Sequence, residues 1–511
     1  MKLKRLYLEN YRVLRDLEIR FCPSTEPSVA FPRNYSLDFL VGVNGTGKST
    51  VLKILWNLMQ QLEGNPFIEY PFELEYELGR GNQKRTIKIA NSQEDPETGD
   101  FTFTPTPLAW ENGKPTAISR DILPELIVAF TTGSEAEWDV VGNTTHFDGG
   151  NLEVLQNLSQ LERAIRELPG KQPNLETLLT ENPEEGSRCL FIPTCQLPLV
   201  TLCGLLLDLA RSSNNSSLSE VLAAVHLKQI TGFSLKFRKT HQPAYVGDWD
   251  DVKNLARLAS SCLHQGSDYL LVFDLTSDGS SIAQNIIDRF YSALELFKKL
   301  AQLTDVDENG QSVLREVNIF LERTDSKHPE TDIEVAPLHL FEWLSDGEQS
   351  FLGRMCLLTL LDAREALILL DEPEVHFNDF WKRQIVQLID KTLQERYSHI
   401  LITTHSSITL TDVPREDIVV LDRNGNYTRN SFPPRLRTFG ADPSDIMVHV
   451  FDTLHPAGAL SVQRIEQELD NSLNRNPKER REVLEELLNK VVAQGYWSYL
   501  IRRELQAMKQ E

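Results

Sequence analysis

Four short stretches carry residue types whose spacing suits chemistry on a phosphate. Gly42-Val43-Asn44-Gly45-Thr46-Gly47-Lys48-Ser49-Thr50 fits the pattern G-x-x-x-x-G-K-[ST]. Gly42, Gly45 and Gly47 let the backbone wrap closely around phosphate oxygens, and the loop N–H groups, from Asn44 through Thr50, point at the anion. Lys48 would reach the β- and γ-phosphates, and the Ser49 hydroxyl would ligate Mg²⁺. Leu367 to Leu370 is an apolar run ending in Asp371-Glu372-Pro373. It would deliver Asp371 to the metal shell and Glu372 to the attacking water as a general base. Thr403-Thr404-His405 closes a second apolar run, and His405 could hydrogen-bond the γ-phosphate. Ser345-Asp346-Gly347-Glu348-Gln349 reads as a helix start whose Ser345 hydroxyl, Gly347 N–H and dipole suit an anion. Each has a bland reading: a Gly-rich turn, a chance acidic pair, a structural histidine, and a plain N-cap with Glu348 in the first turn. Their order along one chain favours a single nucleotide site holding ATP and Mg²⁺.

The elements around these residues follow from periodicity. Tyr35 to Val41 reads as a buried strand ahead of the loop, and Val51 to Gln61 as the helix behind it. Lys2 to Leu8 and Asp16 to Phe21 alternate apolar and polar residues, giving two adjacent strands. Residues 22–34 carry three prolines and read as a loop. Strand-like runs at Phe72 to Leu78, Arg85 to Ile89 and Phe101 to Phe103 predict an antiparallel sheet, with a further apolar run at Leu126 to Phe130. Helical spacing covers Asn151 to Leu168, Leu197 to Ala210, Leu218 to Leu227, Val252 to Leu263 and Ile282 to Leu303. Short strands at Phe233 to Phe237 and Tyr269 to Leu275 interrupt that block. Beyond it, Glu316 to Arg323, Ala366 to Leu370, His399 to Thr403 and Ile418 to Asp422 read as strands, with helices at Phe351 to Leu361 and from Asn378 to Tyr397. Strand, helix, strand in this order gives a parallel α/β core. The expected divisions are 1–150, an N-terminal lobe with the phosphate loop; 151–314, a mostly helical insertion; 315–454, a C-terminal lobe; and 455–511, a helical tail.

Composition narrows the function class. The chain has 511 residues and a net charge of −22, so its surface repels nucleic acid on average. Contact with DNA or RNA would need a local basic patch or a partner. No run approaches 18 consecutive apolar residues and the N-terminus lacks a signal core, so no membrane span and a cytoplasmic location are expected. Six cysteines match no zinc pattern.

These motifs resemble the ATPase heads of the ABC class, and within it the SMC, RecF and OLD branch. Leu6-Tyr7-Leu8-Glu9-Asn10-Tyr11-Arg12, the phosphate loop, Asp371-Glu372-Pro373-Glu374 and Thr404-His405-Ser406 carry the resemblance. It covers roughly residues 1–135 and 315–425. It implies a P-loop ABC-type head with a mixed sheet and an antiparallel β-subdomain, split by the insertion. It implies that Ser345, Gly347 and Glu348 contact the γ-phosphate held by a second copy, so that a head-to-tail homodimer sandwiches two ATPs, alone or within a higher oligomer. His405 falls at the switch histidine and Val375-His376-Phe377 at the dimer-contact loop. The signature departs from the family's Ser-Gly-Gly-Gln by reading Ser-Asp-Gly-Glu-Gln.

Size, insertion, Phe439-Gly440-Ala441 and tail look most like the PtuA-like ATPase subunit of bacterial antiphage Septu and retron systems. That resemblance implies a sensor or regulator acting with a separate effector, an HNH nuclease. OLD relatives carry a nuclease domain after the head; because no Asp-x-Asp pair on a strand end with a glutamate upstream follows residue 425, no nuclease activity of the chain itself is expected. The alternatives are a RecF-like repair ATPase acting on DNA and a scaffold whose ATP turns over slowly.

Overall fold

In a computed structural model of the chain, the described residues are 1–21, 33–64, 66–94, 101–136, 138, 187–211, 217–238, 248–305, 312–324, 338–361, 365–393, 397–455 and 457–508. The helix expected at Asn151 to Leu168 and most of the loop at 22–34 lie outside them. The chain forms two compact units, Met1–Gly440 and Ala441–Glu511.

The first unit opens with β1 (Lys2–Tyr11), β2 (Leu14–Arg20), β3 (Ser36–Val41), α1 (Lys48–Glu63), β4 (Phe72–Leu78), β5 (Arg85–Glu94), β6 (Phe101–Glu111), β7 (Lys114–Thr116) and β8 (Leu126–Thr131). It continues through β9 (Cys189–Ile192), α2 (Leu197–Arg211), α3 (Ser217–Ala224), β10 (Leu227–Arg238), α4 (Asp248–Leu258), β11 (Ser261–Gln265), β12 (Asp268–Asp274), α5 (Gly279–Arg289), α6 (Ala293–Gln302), β13 (Leu314–Arg323) and β14 (Leu338–Leu340). The remainder is α7 (Asp346–Leu360), β15 (Ala366–Asp371), α8 (Asp379–Leu393), β16 (His399–Thr403), β17 (Ile418–Asn424) and β18 (Tyr427–Phe432).

One mixed sheet organises the head. Its order is β7-β6-β5-β4-β1-β2-β18-β17-β3-β16-β15-β8-β9. From β17 to β9 all neighbours are parallel, and β7 to β2 form an antiparallel wing. The parallel strands β3, β8, β15 and β16 are buried along their full length, which is why they read as continuous apolar runs rather than as alternation. Helix α1 lies on this sheet with Val51, Leu55, Trp56 and Leu58 in the core shared with β1, β4 and β15. At β3 and β16, Asp38 Oδ2 and His399 Nε2 lie 3.0 Å apart with both side chains buried, and the Leu3 N–H donates to His399 Nδ1.

A second, antiparallel sheet, β11-β12-β10-β13-β14, uses strands from both sides of residue 314. The short strand expected at Phe233 to Phe237 lies within the 12-residue β10, and that expected at Tyr269 to Leu275 is β12, paired with it and with Phe233 stacked on Phe273 at 4.2 Å. Two helical expectations change. Residues 261–265 pair with β12 instead of extending a helix from Val252. The expected helix from Ile282 to Leu303 is two, broken at Tyr291, which is 94% exposed and has φ 65°.

Helix α2 packs on α7, α5 and α6. A Cβ on Gly204 would sit 2.6 Å from Cys356 Cβ, so the α2–α7 crossing requires glycine there. The window Thr194–Arg211, though not a continuous apolar run, is long and apolar enough to cross a membrane by length and composition alone. In the fold it is a core helix, with Leu199 to Leu206 buried.

The second unit contains α9 (Pro443–His449), α10 (Ala459–Leu473), α11 (Pro477–Glu486), a π-helical turn at Leu487–Val491, and α12 (Tyr496–Ala507). Leu484, Leu487 and Ile501 form its small core, flanked by Leu469, Val483 and Leu505.

Candidate nucleotide site and signature face

The sheet order places the chemistry. Strands β8, β15 and β16 run parallel and in register, so Thr131, Asp371 and Thr403 form one row at their C-terminal ends. Helix α1 starts beside that row, at the C-terminal end of β3, where ligands bind in open parallel sheets.

Gly42, Gly45 and Gly47 have φ of 148°, 81° and 87°, conformations that L side chains rarely adopt. A Cβ on Gly42 would sit 2.6 Å from the Leu421 carbonyl oxygen, and one on Gly47 would sit 2.7 Å from Leu14. Gly47 is the N-cap of α1 and supplies no side-chain cap. The first amides of α1 are thus left for an external acceptor. Asn44 and Gly45 are exposed at the loop tip, and Thr50 lies half-buried in the first turn of α1.

Lys48 is 5% exposed, and its Nζ donates to the loop carbonyls of Gly42 and Val43 at 3.0 and 3.3 Å. Burial lowers its pKa to about 8, against the opposing pull of Glu372 and Asp371. The Asp371 carboxylate accepts three hydroxyl hydrogen bonds: Ser49 Oγ to Oδ1 at 2.8 Å, Thr403 Oγ1 to Oδ1 at 2.6 Å and Thr131 Oγ1 to Oδ2 at 3.0 Å. Three hydroxyl donors on its two oxygens fix the orientation of the carboxylate. Ser49 and Asp371, an alcohol and a carboxylate in contact beside a phosphate cradle, are a donor set that fits Mg²⁺.

Glu372 follows with φ 51°, an uncommon backbone for a residue with a side chain. Its N–H donates to Thr403 Oγ1 at 3.0 Å, and its Oε1 lies 3.3 Å from His405 Nε2. Burial, then the Asp371 charge, raises the Glu372 pKa, while Lys48 opposes the shift. Burial, then the Lys48 cation, lowers that of His405, leaving the imidazole neutral at neutral pH. A carboxylate with raised basicity beside a neutral imidazole can take and pass on a proton.

Ser345, Gly347 and Glu348 form a separate face. Ser345 caps α7 in a capping box: its Oγ accepts from the Glu348 N–H, and Glu348 Oε2 accepts from the Ser345 N–H at 2.8 Å. A Cβ on Gly347 would sit 3.0 Å from the His376 carbonyl oxygen and 3.3 Å from the Trp381 ring, so the dimer-contact loop expected at Val375 to Phe377 packs on this helix start. An open cavity of about 640 Å³ lies here, lined by Ser345, Glu348, Phe380, Trp381, Ala224 and His226. Among the described residues, no hydrogen bond of Ser345 or Glu348 reaches the phosphate loop of the same chain.

Three residues not singled out from the sequence complete the picture. Thr131 and Thr403 hold Asp371, and the only sign of them is a threonine closing each of two apolar runs. Arg354 on α7 is buried, donates to the carbonyls of Pro373 and Val375, and lies 5.4 and 5.0 Å from the ring centres of Phe130 and Phe377. Burial lowers its pKa to about 10. It clamps the signature helix to the segment after Asp371-Glu372. Glu374 in that segment accepts from Thr404 Oγ1, next to His405.

Residues 1–104 match the family "AAA ATPase domain", and residues 267–412 match "AAA domain, putative AbiEii toxin, Type IV TA system". Antigen peptide transporter 1 of Rattus norvegicus is 30% identical over 182 residues, which is 31% of this chain and 23% of that protein. This chain thus spans less than a quarter of that relative's length. The SMC head domain from Thermotoga maritima aligns over 85% of this chain and all of its own, at 11% identity and a TM-score of 0.36. The Smc head domain with an extended coiled coil bound to the C-terminal domain of ScpA, from Pyrococcus furiosus, aligns over 84% and 96%, at 11% identity and a TM-score of 0.31. With AAA-domain matches on the two stretches that carry the phosphate loop and Asp371-Glu372, and a large mixed sheet that sets those stretches side by side, the fold is a P-loop ATPase head.

Proposed function

We propose that this chain hydrolyses ATP as an ABC-class ATPase of the SMC/RecF type and acts as the sensor or regulator subunit of an antiphage defence complex. The observation that carries the ATPase reading is the convergence of Ser49, Thr131 and Thr403 on Asp371, with Glu372 and His405 beside them. ATP is the substrate; Mg²⁺, held by Ser49 and Asp371, would neutralise charge developing on the phosphates. The loop amides and Lys48 bind and orient the triphosphate. Glu372 accepts the proton of the attacking water, and His405 fixes the orientation of both. Catalysis is then positioning plus charge neutralisation by groups already in place.

The signature face is the second half of the reaction. Ser345 and the α7 dipole would engage the γ-phosphate bound to a second copy, giving a head-to-tail homodimer with two ATPs. Arg354 ties α7 to the Asp371-Glu372 segment, and α2 of the insertion lies on α7. Closure over ATP would thereby reach both the switch histidine and the insertion. The effector chemistry belongs to a separate protein, with an HNH nuclease the expected class, held by the insertion or the helical tail.

The test is Glu372→Gln expressed in its native gene context, purified with Mg-ATP and weighed with everything bound. Two or more copies plus a second protein support this reading. A bare dimer carrying DNA favours direct action on DNA. A particle of the same mass with and without ATP overturns the ATP-closed dimer.

A further inference from the structure

We propose that Arg423, beside the phosphate loop of one copy, forms an ion pair with Asp346, at the signature-helix start of the second copy, when ATP closes the dimer. The inference rests on the dimer reading above and names the charge pair that fixes its register.

Arg423 is set on the phosphate-loop side of the β17–β18 hairpin. It lies opposite Thr428 across the two strands, so both side chains leave the same face. Thr428 Oγ1 donates to the Thr46 carbonyl at 2.8 Å, which pins that face to the loop. A Cβ on Gly45 would sit 3.1 Å from Arg423 Nη1. The guanidinium is steered there by its Nε, which donates to the Gly425 carbonyl at 3.0 Å in the hairpin turn. Arg423 is exposed, and among the described residues no carboxylate lies within ion-pair distance of it.

Asp346 is the complementary case. It is the first residue of α7, exposed, and among the described residues its carboxylate has no hydrogen-bond or ion-pair partner. Its neighbours Ser345 and Glu348 are occupied with each other in the capping box. An acid at a helix N-terminus is locally favourable. In a face that must approach a triphosphate it is not, because two carboxylates, Asp346 and Glu348, then meet four negative charges. A cation on the rim of the opposing phosphate loop removes the conflict, and Arg423 is an exposed cation whose guanidinium approaches that loop at Gly45. Two-fold symmetry makes the contact occur twice per dimer, so its effect on association is doubled.

The experiment measures the dimer dissociation constant of the Glu372→Gln chain with Mg-ATP by sedimentation. Arg423→Asp alone or Asp346→Arg alone is expected to weaken the dimer about tenfold or more, as removal of one partner from a desolvated charge pair does. The double exchange should return it to within about threefold of the reference. Arg423→Gln and Asp346→Asn provide neutral controls that should weaken the dimer as well. Asp346→Arg sets a cation at a helix N-terminus and should lower the thermal midpoint slightly, so the constants are compared at a temperature where every variant is folded. Singles without effect, or a double exchange no tighter than the worse single, overturn the pair while the dimer stands. So does a dimer tightened by Asp346→Asn, which would make Asp346 purely repulsive. Reduced nucleotide affinity of dilute Arg423→Asp monomer also overturns it, since Arg423 would then serve its own loop. A reference chain that stays monomeric with Mg-ATP overturns the dimer and the pair together.

Discussion

The phosphate-loop cluster and the signature face are built from similar residues to opposite degrees of completion. Both Asp371 oxygens accept hydrogen bonds, Asp371, Thr131 and Thr403 are buried, and four elements of one chain, α1, β8, β15 and β16, converge. Around Ser345 the polar groups satisfy only one another, and the face is open to solvent. A buried polar network must be complete within the chain, because an unmet group there costs about 1–3 kcal/mol. An exposed helix start carries no such demand and can wait for a partner. One half-site is therefore finished on folding, and the other is finished by assembly.

Breaking the finished half should have the largest effects. Glu372→Gln is expected to lower hydrolysis about 10²- to 10⁴-fold, the range for loss of a general base, with nucleotide binding retained. Turnover in steady state together with binding of ATP by equilibrium dialysis checks both parts. Thr403→Val removes one hydroxyl from Asp371 and one of the two acceptors of the Glu372 N–H, leaving the Thr403 carbonyl at 3.1 Å, while keeping the strand shape. It should weaken Mg²⁺ dependence about 10- to 100-fold, as loss of an orienting partner around a metal ligand does. A Mg²⁺ titration of the rate reads this directly, and an unchanged midpoint would show that Thr131 and Ser49 suffice.

The open half should respond to concentration instead. Ser345→Ala removes the hydroxyl of the α7 N-cap, at a cost of about 1 kcal/mol in stability. Its hydrolysis should fall further than its stability, and raising protein concentration should recover part of the loss. Gly204→Ala sharpens the link to the insertion. The new methyl would meet Cys356 at 2.6 Å, so α2 must shift off the signature helix. The expected cost is about 1–3 kcal/mol of stability, read as a lowered thermal midpoint, with a weaker ATP-dependent dimer and intact nucleotide binding by the monomer.

What could be read without coordinates follows the same division. The phosphate loop, Asp371-Glu372 and His405 sit at the ends of local apolar runs, so each is visible in its own ten residues. Thr131 and Thr403 are not, because their role comes from the register of three parallel strands that are 240 and 32 residues apart in pairing. Three strands of the five-stranded sheet, β10, β12 and β13, are legible as apolar runs, but their pairing and the edge strands β11 and β14 are not, for a similar reason. Ser261 to Gln265 carries helix-compatible residues and becomes a strand only through its pairing with β12. Tyr291 breaks a pattern that reads as one continuous helix, and nothing in the periodicity marks the turn. The position of Arg354 is also a tertiary fact: an arginine in an apolar helix looks like a solvent-facing residue until the carbonyls of Pro373 and Val375 receive it.

The smallest expected effect concerns Lys48 and separates its burial from its charge. In the free chain burial lowers its pKa to about 8, so near neutral pH it is already protonated. A bound triphosphate favours the cation and raises that pKa. Below pH 8 binding needs no proton; above it, each binding event must take one up, and affinity falls as pH rises. With a non-hydrolysable ATP analogue, whose phosphates no longer titrate in this range, the dissociation constant should rise about eightfold between pH 7.5 and pH 9. Calorimetry in two buffers of different ionisation heat should show proton uptake appearing over the same window. Lys48→Ala, which binds weakly throughout, should lack the slope. A flat profile in the unaltered chain would mean that the Gly42 and Val43 carbonyls hold Lys48 charged despite its burial, and that the phosphate loop is preformed as a cation-bearing cradle before any nucleotide arrives.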